Sequence, residues 1–394
     1  MNILHYLDTT DTRRGGPQRM VLDSCRVLAA RGHQCTLLAS DTTDAPGAWL
    51  TPAQGLPLIR RIPAPTLPGG FYTPTGLRSL GADLRDADVL HFHCVWSPAA
   101  HQIARLARRA GIPYLVSLHG MFDDWAMSQA PAKKRLFLSL GGRALLEHAA
   151  AVHCTAEGEL AQARKWFNGR GIVVPPLLDL DPFRSLPGPG PARAKFPFLL
   201  QHARPVVLFL SRLHPVKRPQ LLLATAAALR DQGVLATFVL AGPGEEGFVA
   251  ELKATTKSLK LEDRVHFTGL VTGLDKLSLF QASDLFILPP QQEHFGVVLV
   301  ESLACGAPLI TTRGEDIWPD LKASGAASII DHPGAELTRE AARLIQDAPA
   351  RASMAARARP WVFEAFDEAH TARLMEGLYE QARRTARPAA VGGA

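Results

Sequence analysis

Residues 288–312 constrain the fold of this chain more than any other segment. An apolar run that ends at Leu288 has the length of a buried strand, and two prolines stop it. Residues 297–304 read as an apolar helix that ends at Cys305-Gly306, and residues 308–312 resume as a strand. Strand, loop, helix and strand in this order predict an α/β fold built on a parallel sheet.

Two glutamates stand out in this segment because one of them lies in its most apolar helix. Burial of an unpaired carboxylate is costly, so Glu301 needs a partner. Glu293 lies in the loop before the helix, where free backbone N–H groups favour an anion if the helix starts near His294 or Gly296. Two glutamates that can accept hydrogen bonds from hydroxyl groups, beside one anion site, indicate a site for a sugar, a phosphate and a ribose. Glutamates that face solvent or a salt bridge are the alternative, and the spacing alone does not decide.

The run from Glu293 to Glu301, EHFGVVLVE, followed by SLACGAP, resembles the signature of the retaining glycosyltransferases of family 4. Members of that family have the GT-B fold, in which two Rossmann-like domains face a cleft. The resemblance implies that Glu301 holds the ribose hydroxyls and that Glu293 contacts the donor sugar. It also implies that backbone amides meet the donor at the intervening positions, which are His294, Phe295, Gly296 and Val297.

Length and composition agree with two domains in a reducing compartment. The 394 residues, 47% of them hydrophobic, are enough for two cores of ordinary size. The cysteines are odd in number and scattered without metal-type pairing, which predicts small buried residues in a reducing cytoplasm. They are Cys25, Cys35, Cys94, Cys154 and Cys305.

The first half of the chain is basic. It carries 19 Lys and Arg against 13 Asp and Glu through Pro175, which accounts for the net charge of +6. This suits an anionic membrane or a lipid diphosphate, although an ordinary solvated surface explains it equally well. No signal peptide and no run of ~20 apolar residues is present, so we expect a cytoplasmic protein whose membrane contact, at the inner face of the cell membrane, is peripheral.

The start of the chain predicts a right-handed crossover unit of the Rossmann type. Residues 3–7 form a strand, a loop ends in Gly15-Gly16-Pro17, and a helix stops at Gly32 before a strand at residues 36–39. The three-glycine dinucleotide fingerprint is absent, which disfavours a nicotinamide enzyme. Gly15-Gly16 resembles the family's glycine loop, where backbone approaches the donor diphosphate; a tight turn that serves packing is the alternative.

Histidines end two predicted strands, at residues 88–93 and 114–118. Zinc binding by His91 and His93 is conceivable, but no third ligand with convincing spacing stands nearby, so we expect a strand end that enters the cleft. His119 follows a buried parallel strand, where open α/β sheets place their chemistry, and Gly120 leaves room for a ligand. A structural histidine is the alternative. Residues 116–126 resemble the His-Gly-Met…Trp-Ala segment of bacterial polysaccharide glycosyltransferases, which implies that His119 reaches the donor sugar and phosphate.

Two cations bracket the loop after the predicted strand at residues 206–210. Arg212 and Lys217 precede a helix that starts near Pro219, and two cations beside a helix N-terminus favour a diphosphate. Solvated surface charge is the alternative. The pair matches the family's Arg-x-x-x-x-Lys pattern, which neutralises the leaving diphosphate.

The resemblance covers nearly the whole chain and implies four segments. Residues 1–180 form an N-terminal Rossmann-like acceptor domain, and the Pro-rich residues 181–205 form an interdomain linker. Residues 206–360 form a C-terminal Rossmann-like domain for the nucleotide-sugar donor. Residues 361–394 contain a helix, at about residues 367–383, that returns to the first domain.

The implied reaction is transfer of a hexosyl group from a nucleoside diphosphate sugar to a hydroxyl acceptor with retention of configuration, in surface polysaccharide or lipid-linked oligosaccharide assembly. His119, Glu293, Arg212 and Lys217 are implied to carry the catalysis. No metal or cofactor is required, since the two Asp-x-Asp patterns lie away from the predicted diphosphate site. A nucleotide-sugar epimerase and a catalytically silent sugar-nucleotide-binding partner are the alternatives. Nucleic acid is not an expected partner, because the basic residues are not interleaved with aromatic ones.

Overall fold

Alternation of short apolar strands with helices gives this chain two parallel β-sheets. The structure, a computed structural model, describes residues 1–200 and 204–385. The chain forms two units: unit 1 contains Met1–Asp179 and the chain from Phe366 onward, and unit 2 contains Leu180–Ala365. In the described part of the chain, no helix has both the length and the apolar character needed to cross a bilayer.

Unit 1 is built on a seven-stranded sheet in which every pair of neighbours is parallel. Away from its two edges, its strands are mostly buried on both faces, as expected where helices cover a parallel sheet. They are β1 (Asn2–Tyr6), β2 (Gln34–Ala39), β3 (Leu58–Arg61), β4 (Val89–Phe92), β5 (Tyr114–Ser117), β6 (Ala151–Cys154) and β7 (Gly171–Val173). The order β3-β2-β1-β4-β5-β6-β7 reverses direction between β1 and β4, the position where open α/β sheets place ligands.

Three helices of unit 1 begin with a side-chain cap. Thr73, Ser97 and Asp123 each accept a hydrogen bond from a first-turn N–H of the helix that follows. The helices are α1 (Gly16–Ala30), α2 (Pro74–Leu84), α3 (Pro98–Arg109), α4 (Asp124–Ser128), α5 (Pro131–Phe137), α6 (Arg143–Glu147) and α7 (Glu157–Ala163). A π-helical turn, Leu138–Gly142, joins α5 to α6.

Unit 2 has a six-stranded parallel sheet of order β10-β9-β8-β11-β12-β13. Its strands are β8 (Val206–Leu210), β9 (Thr237–Ala241), β10 (Val265–Gly269), β11 (Leu285–Leu288), β12 (Leu309–Thr312) and β13 (Ala327–Ile330). Its helices are α8 (Asp181–Arg184), α9 (Gly190–Lys195), α10 (Pro219–Asp231), α11 (Glu246–Ser258), α12 (Gly273–Gln281), α13 (Val297–Ala304), α14 (Trp318–Ala323), α15 (Ala335–Gln346) and α16 (Ala348–Ala365).

The last helix, α17 (Glu368–Thr385), belongs to unit 1, as predicted. Its apolar face joins the core beneath β1 and β4 through Met375, Leu378 and Tyr379. Glu376 on its polar face accepts a hydrogen bond from Arg31 at 2.7 Å. The chain therefore leaves unit 1 once and returns to it with this helix.

Residues 181–205, predicted as a linker, are instead folded onto unit 2 in their described part, residues 181–200. They form α8, α9 and a 3₁₀ turn, Pro197–Leu200. Ser278 Oγ on α12 accepts from Ala192 N at 2.8 Å and donates to Gly188 O at 2.7 Å. Both short helices carry proline in the first turn, where its missing N–H costs nothing, so a proline-rich composition does not exclude helix here.

The Pro- and Gly-rich region at residues 46–75 contains a strand that the sequence did not predict. β3 pairs with β2 at the edge of the sheet, in register from Thr36 with Leu58 to Ala39 with Arg61. Its last two residues are exposed and charged, so its periodicity is too weak to stand out from the surrounding turns.

Candidate active site

The loops after two neighbouring strands of unit 2 bring Lys217 and Glu293 together. β8 and β11 are parallel neighbours, so the loops after them leave the sheet at the same edge. Gln291 N donates to Val216 O at 2.8 Å and ties the loops to each other. Lys217 Nζ donates to Glu293 Oε2, forming an ion pair. Two residues singled out by the sequence, 76 positions apart, are therefore direct partners.

Burial and charge act in opposite directions on Glu293. Desolvation alone would raise the pKa of this carboxyl group, but the Lys217 ammonium and the neighbouring His294 outweigh it and hold the pKa below its usual value. Lys217 is 7% exposed, and His294 Nδ1 lies 3.6 Å from Glu293 Oε1. The site therefore contains an ionised carboxylate with a buried cation on one of its oxygens.

Glu315, which the sequence did not single out as a site residue, lies beside this pair. It follows β12, and Asp316 N donates to Glu293 O at 3.0 Å, which joins the two loops. The side chain is fully buried, and neither carboxyl oxygen has a hydrogen-bond partner in the described part of the chain. Burial and the charge of Glu293 raise the pKa of Glu315 well above its ordinary value. Its position just after β12, on the same sheet edge as Glu293, was the sequence feature that could have predicted a place in the site.

Gly296 allows the Glu315 carboxyl group to lie close to the start of α13. It is the N-cap residue of α13 and has a φ of 61°, in the left-handed region that favours glycine. A Cβ atom at this position would lie 2.6 Å from Glu315 Oε2. His294 and Phe295 precede it in the loop and Val297 begins the helix, so the predicted donor-binding amides lie at one helix N-terminus.

Glu301 has the partner that its burial required. Lys276 Nζ on α12 donates to Glu301 Oε1 at 2.6 Å, and the Glu301 side chain is 15% exposed. This is the salt bridge that the sequence left open as an alternative. Its contact with a ribose stays a prediction.

Arg212 is not part of the buried pair. Its side chain is exposed on the loop after β8, three residues before the 3₁₀ turn Pro215–Lys217 begins. Burial first, and the charge of Arg212 second, lower the pKa of the nearby His214. The structure therefore places one of the two predicted cations in the ion pair and the other at the surface of the same loop.

In unit 1, Gly15 and Gly16 mark the start of α1. Gly15 is its N-cap residue, with a φ of 145° that favours glycine, and Gly16 is its first residue. The nearest atom to a Cβ added at Gly15 would be Pro17 Cδ, at 3.6 Å. The requirement for glycine here is therefore conformational, and contact with a diphosphate stays a prediction.

His119 adopts a strained backbone at the end of β5. Its φ is 49°, in the left-handed region that few non-glycine residues occupy, at a cost of about 1–3 kcal/mol. Glu159 holds the turn: its Oε1 accepts from Gly120 N at 2.6 Å and its Oε2 from Thr155 N at 2.7 Å. The side chain is 9% exposed. Strain of this kind is typical of functional sites.

Further histidines are buried in unit 1 near His119, and three of them lie close together. The reason given against a zinc site, that His91 and His93 have no third ligand nearby, is wrong, because β1 lies beside β4 and supplies His5. One ring nitrogen from each of these residues lies within 4.8 Å of the others. Burial lowers the pKa of His5 to about 4 and that of His93 well below its usual value, so these rings are neutral. The prediction of no metal is not tested by this geometry.

Two family models match the chain. The model described as "Glycosyl transferase 4-like domain" matches residues 15–177, and the model described as "Glycosyl transferases group 1" matches residues 192–361. The D-inositol 3-phosphate glycosyltransferase of Mycobacterium sp. (strain JLS) is 30% identical over 315 residues, which cover 75% of this chain and 70% of that protein.

Solved structures with the same fold cover almost the whole chain. The HepE protein of Anabaena, in complex with UDP and glucose, has a TM-score of 0.77 at 19% identity and covers 96% of this chain and 99% of that one. WaaG, a glycosyltransferase involved in lipopolysaccharide biosynthesis, has a TM-score of 0.70 at 17% identity and covers 99% of this chain and 100% of that one.

Proposed function

This chain belongs to the family 4 glycosyltransferases and has the GT-B fold, and we propose that it transfers a hexosyl group from a nucleoside diphosphate sugar to a hydroxyl acceptor with retention of configuration. The observation that carries the proposal is the Lys217–Glu293 pair, which lies beside a helix N-terminus at the carboxyl edge of the sheet. A buried cation there matches the charge that develops on a departing diphosphate.

Each residue of the site has a role in this proposal. Lys217 and Arg212 neutralise the departing diphosphate, with the N-terminus of α13 adding backbone donors. As Lys217 turns to the phosphate, Glu293 becomes available to accept hydrogen bonds from the donor sugar. Glu301 accepts hydrogen bonds from the ribose hydroxyl groups, and Lys276 holds the Glu301 side chain in place. The departing phosphate oxygen takes the proton of the acceptor hydroxyl on the same face, so no protein nucleophile is required.

His119 is assigned to the donor sugar or its phosphate. Its resemblance to the His-Gly-Met segment and its strained, anchored backbone support this role. Deletion of a contact made mostly on the way to the transition state lowers turnover more than it lowers ground-state binding. His119→Ala should therefore lose about 10²-fold in kcat with little change in nucleotide affinity.

A UDP-hexose is the first donor to test, since the HepE structure contains UDP and glucose. Incubation with radiolabelled UDP-hexoses, and then GDP- and dTDP-hexoses, and a bacterial lipid extract should move label into the lipid phase with equimolar release of the nucleoside diphosphate. Lys217→Ala should abolish this transfer, whereas Lys253→Ala, an exposed lysine of α11, should leave it unchanged. NMR of the product should show the anomeric configuration of the donor.

Two results would reject the proposed reaction. Interconversion of the donor sugar without release of nucleoside diphosphate would identify a nucleotide-sugar epimerase. Donor binding without turnover by any of these substrates would identify a silent binding partner; the presence of both Lys217 and Glu293 is the observation against it.

We further propose that one surface of unit 1, which combines basic and apolar side chains, contacts an anionic membrane. The contact would be at the cytoplasmic face of the membrane, where a lipid-linked acceptor would lie. Leu136 and Leu140, near the junction of α5 and the π-helical turn, are 58% and 78% exposed, and Lys133 and Arg135 beside them are exposed as well. Exposed leucines among cations suit an interface with anionic lipid.

Sedimentation with phosphatidylglycerol vesicles tests this surface. The double variant Lys133→Ala/Arg135→Ala should bind about tenfold or more weakly, at about 1 kcal/mol for each charge. Leu140→Ser should also weaken binding, whereas Leu274→Ser, at a similarly exposed leucine of unit 2, should not. Equal binding by all variants, or equal binding to phosphatidylcholine vesicles, would contradict this proposal.

A further inference from the structure

The buried histidines of unit 1 form two separate sets of hydrogen bonds. In the first, here called the histidine chain, His5 Nδ1 is bonded to His93 Nε2 at 2.9 Å, and His93 Nδ1 is bonded to His119 Nε2 at 3.1 Å. In the second, His91, Ser117 and His153 are bonded in sequence and end at the carbonyl oxygen of Val174. The histidine chain is the set that contains His119.

The second set has a fixed direction because it ends on a carbonyl. Val174 O can only accept, so His153 Nε2 donates to it at 2.8 Å. Burial lowers the pKa of His153 and keeps the ring neutral, so its Nδ1 accepts from the hydroxyl of Ser117. Ser117 then accepts from His91 Nε2 at 2.7 Å. The position of every proton in this set follows from one backbone group.

The histidine chain has no backbone acceptor of this kind, but it links the protons of its three rings to one another. A neutral imidazole has one N–H, and His93 uses both nitrogens, so it donates in one of its two bonds and accepts in the other. The direction of its bond to His5 therefore fixes the direction of its bond to His119. If His119 Nε2 accepts, its single proton is on Nδ1; if Nε2 donates, Nδ1 is an acceptor.

We propose that His93, supported by His5, is a positioning residue that fixes the orientation of the His119 ring and determines which of its nitrogens carries the proton. The backbone of His119 is already held by Glu159 through Gly120, so the hydrogen bond between His93 and His119 supplies the remaining constraint on the side chain. A ring held in one tautomer presents either a donor or an acceptor to a ligand, not a mixture of both.

The chain positions His119 rather than storing a proton from the reaction. A proton taken up at His119 could pass through His93 only by leaving His5 doubly protonated. Burial lowers the pKa of His5 to about 4, so a charged His5 ring is disfavoured at neutral pH. His5 Nε2 is also buried without a hydrogen-bond partner in the described part of the chain, so no group there would stabilise the cation.

A metal ion is the competing use of this cluster. It would need one lone pair from each of His5, His91 and His93. Both nitrogens of His91 are bonded, to Tyr379 Oη and Ser117 Oγ, and both nitrogens of His93 are bonded within the histidine chain. The hydrogen bonds therefore favour the positioning role, and a metal would have to break several of them.

Four variants test the proposal, which rests on the role proposed for His119. His93→Leu removes the hydrogen bond and should lower kcat about 10²-fold with KM within about threefold of wild type. His93→Asn places an amide near the position of Nδ1 and should restore kcat to within about tenfold. His93→Gln, whose amide matches Nε2 instead, should behave as His93→Leu and replaces it if that variant does not fold. His153→Asn, an equally buried histidine outside the chain, should keep wild-type kcat.

Nitrogen-15 NMR of the histidine rings gives a readout that does not depend on turnover. His119 should show a single tautomer in the wild type and in His93→Asn, and a mixture of tautomers in His93→Leu or His93→Gln. Purified protein should contain well below one zinc ion per chain.

The outcomes separate the two proposals. Wild-type kcat in His93→Leu together with a large loss in His119→Ala would overturn the positioning role and leave the proposed function intact. Wild-type kcat in His119→Ala would remove His119 from the reaction, and the NMR tautomers would still decide whether His93 positions it. An unchanged single tautomer in His93→Leu, or stoichiometric zinc bound by His5, His91 and His93, would overturn the proposal.

Discussion

The carboxyl groups of Glu293 and Glu315 lie beside the Lys217 ammonium group in unit 2. The two carboxyl groups differ in charge. Lys217 holds Glu293 in its ionised form, whereas burial and the charge of Glu293 favour the protonated form of Glu315. A protonated carboxyl group can donate a hydrogen bond, which an ionised one cannot. The site therefore combines a cation, an acceptor and a potential donor within three adjoining loops.

Glu315→Gln should stabilise the protein increasingly as pH rises. The raised pKa means that the folded chain holds the Glu315 proton more strongly than the unfolded chain does. Stability is then lost as pH rises above the ordinary carboxyl pKa, and glutamine removes this loss. Thermal unfolding at about pH 5 and about pH 8 should show a larger gain from Glu315→Gln at the higher pH. Glu251→Gln, an exposed control on α11, should show no such trend, and a pH-independent gain for Glu315→Gln would contradict the assignment.

Lys217→Met should destabilise unit 2 by about 3 kcal/mol, because it leaves the Glu293 charge buried without its partner. Adding Glu293→Gln should recover most of that loss, since no buried charge then remains. Urea unfolding of wild type, both single variants and the double variant gives the coupling between the two side chains. Additive losses in the double variant would show that the pair does not interact.

Among the elements, those with strong local patterns were predicted well. Strand Val206–Leu210 and helix Val297–Ala304 have the predicted bounds, because their apolar runs are flanked by turn residues. Segments whose structure depends on distant partners were not. Helix α9 is held in position by a hydrogen bond of Ala192 to Ser278 on α12, and β3 is a strand only through its pairing with β2.

The same division applies to the candidate site. Glu293, Glu301 and Lys217 stand out locally, and all three lie in the site or beside it. Lys276, Glu315 and His5 did not, because each acquires its role from a residue on another element. His5 and His93 are 88 positions apart, and only the order of β1 and β4 in the sheet makes them neighbours.

Gly296→Ala tests the junction between the loop and α13. Its positive φ and the approach of Glu315 and Leu299 to the added Cβ should together cost about 1–3 kcal/mol. The cost should be smaller in a Glu315→Ala background, because one of the two close contacts is then gone. Gly247→Ala, at an α11 position with an ordinary φ and open space around it, should be neutral or stabilising. An equal cost of Gly296→Ala in both backgrounds would place Glu315 elsewhere.

For the molecule as a whole, the fold and the chemistry rest on different observations. Two Rossmann-like units with a returning helix identify the GT-B fold, and many activities share one fold. In the proposed function, the donor is selected by loops such as those around Lys217 and Glu293. The nucleotide, sugar and acceptor therefore have to be found by experiment on this site rather than from the architecture.

Calorimetric titration with nucleoside diphosphates tests most directly whether the Lys217–Glu293 site holds a sugar-nucleotide donor. UDP, GDP, ADP and dTDP are each titrated into wild type, Lys217→Ala and the exposed control Lys253→Ala. We expect wild type and Lys253→Ala to bind at least one of them with equal affinity, and Lys217→Ala to bind it about tenfold or more weakly, because a charge-assisted contact to phosphate is worth about 1.5–3 kcal/mol. Equal binding by Lys217→Ala, or no binding of any nucleotide by wild type, would contradict the assignment.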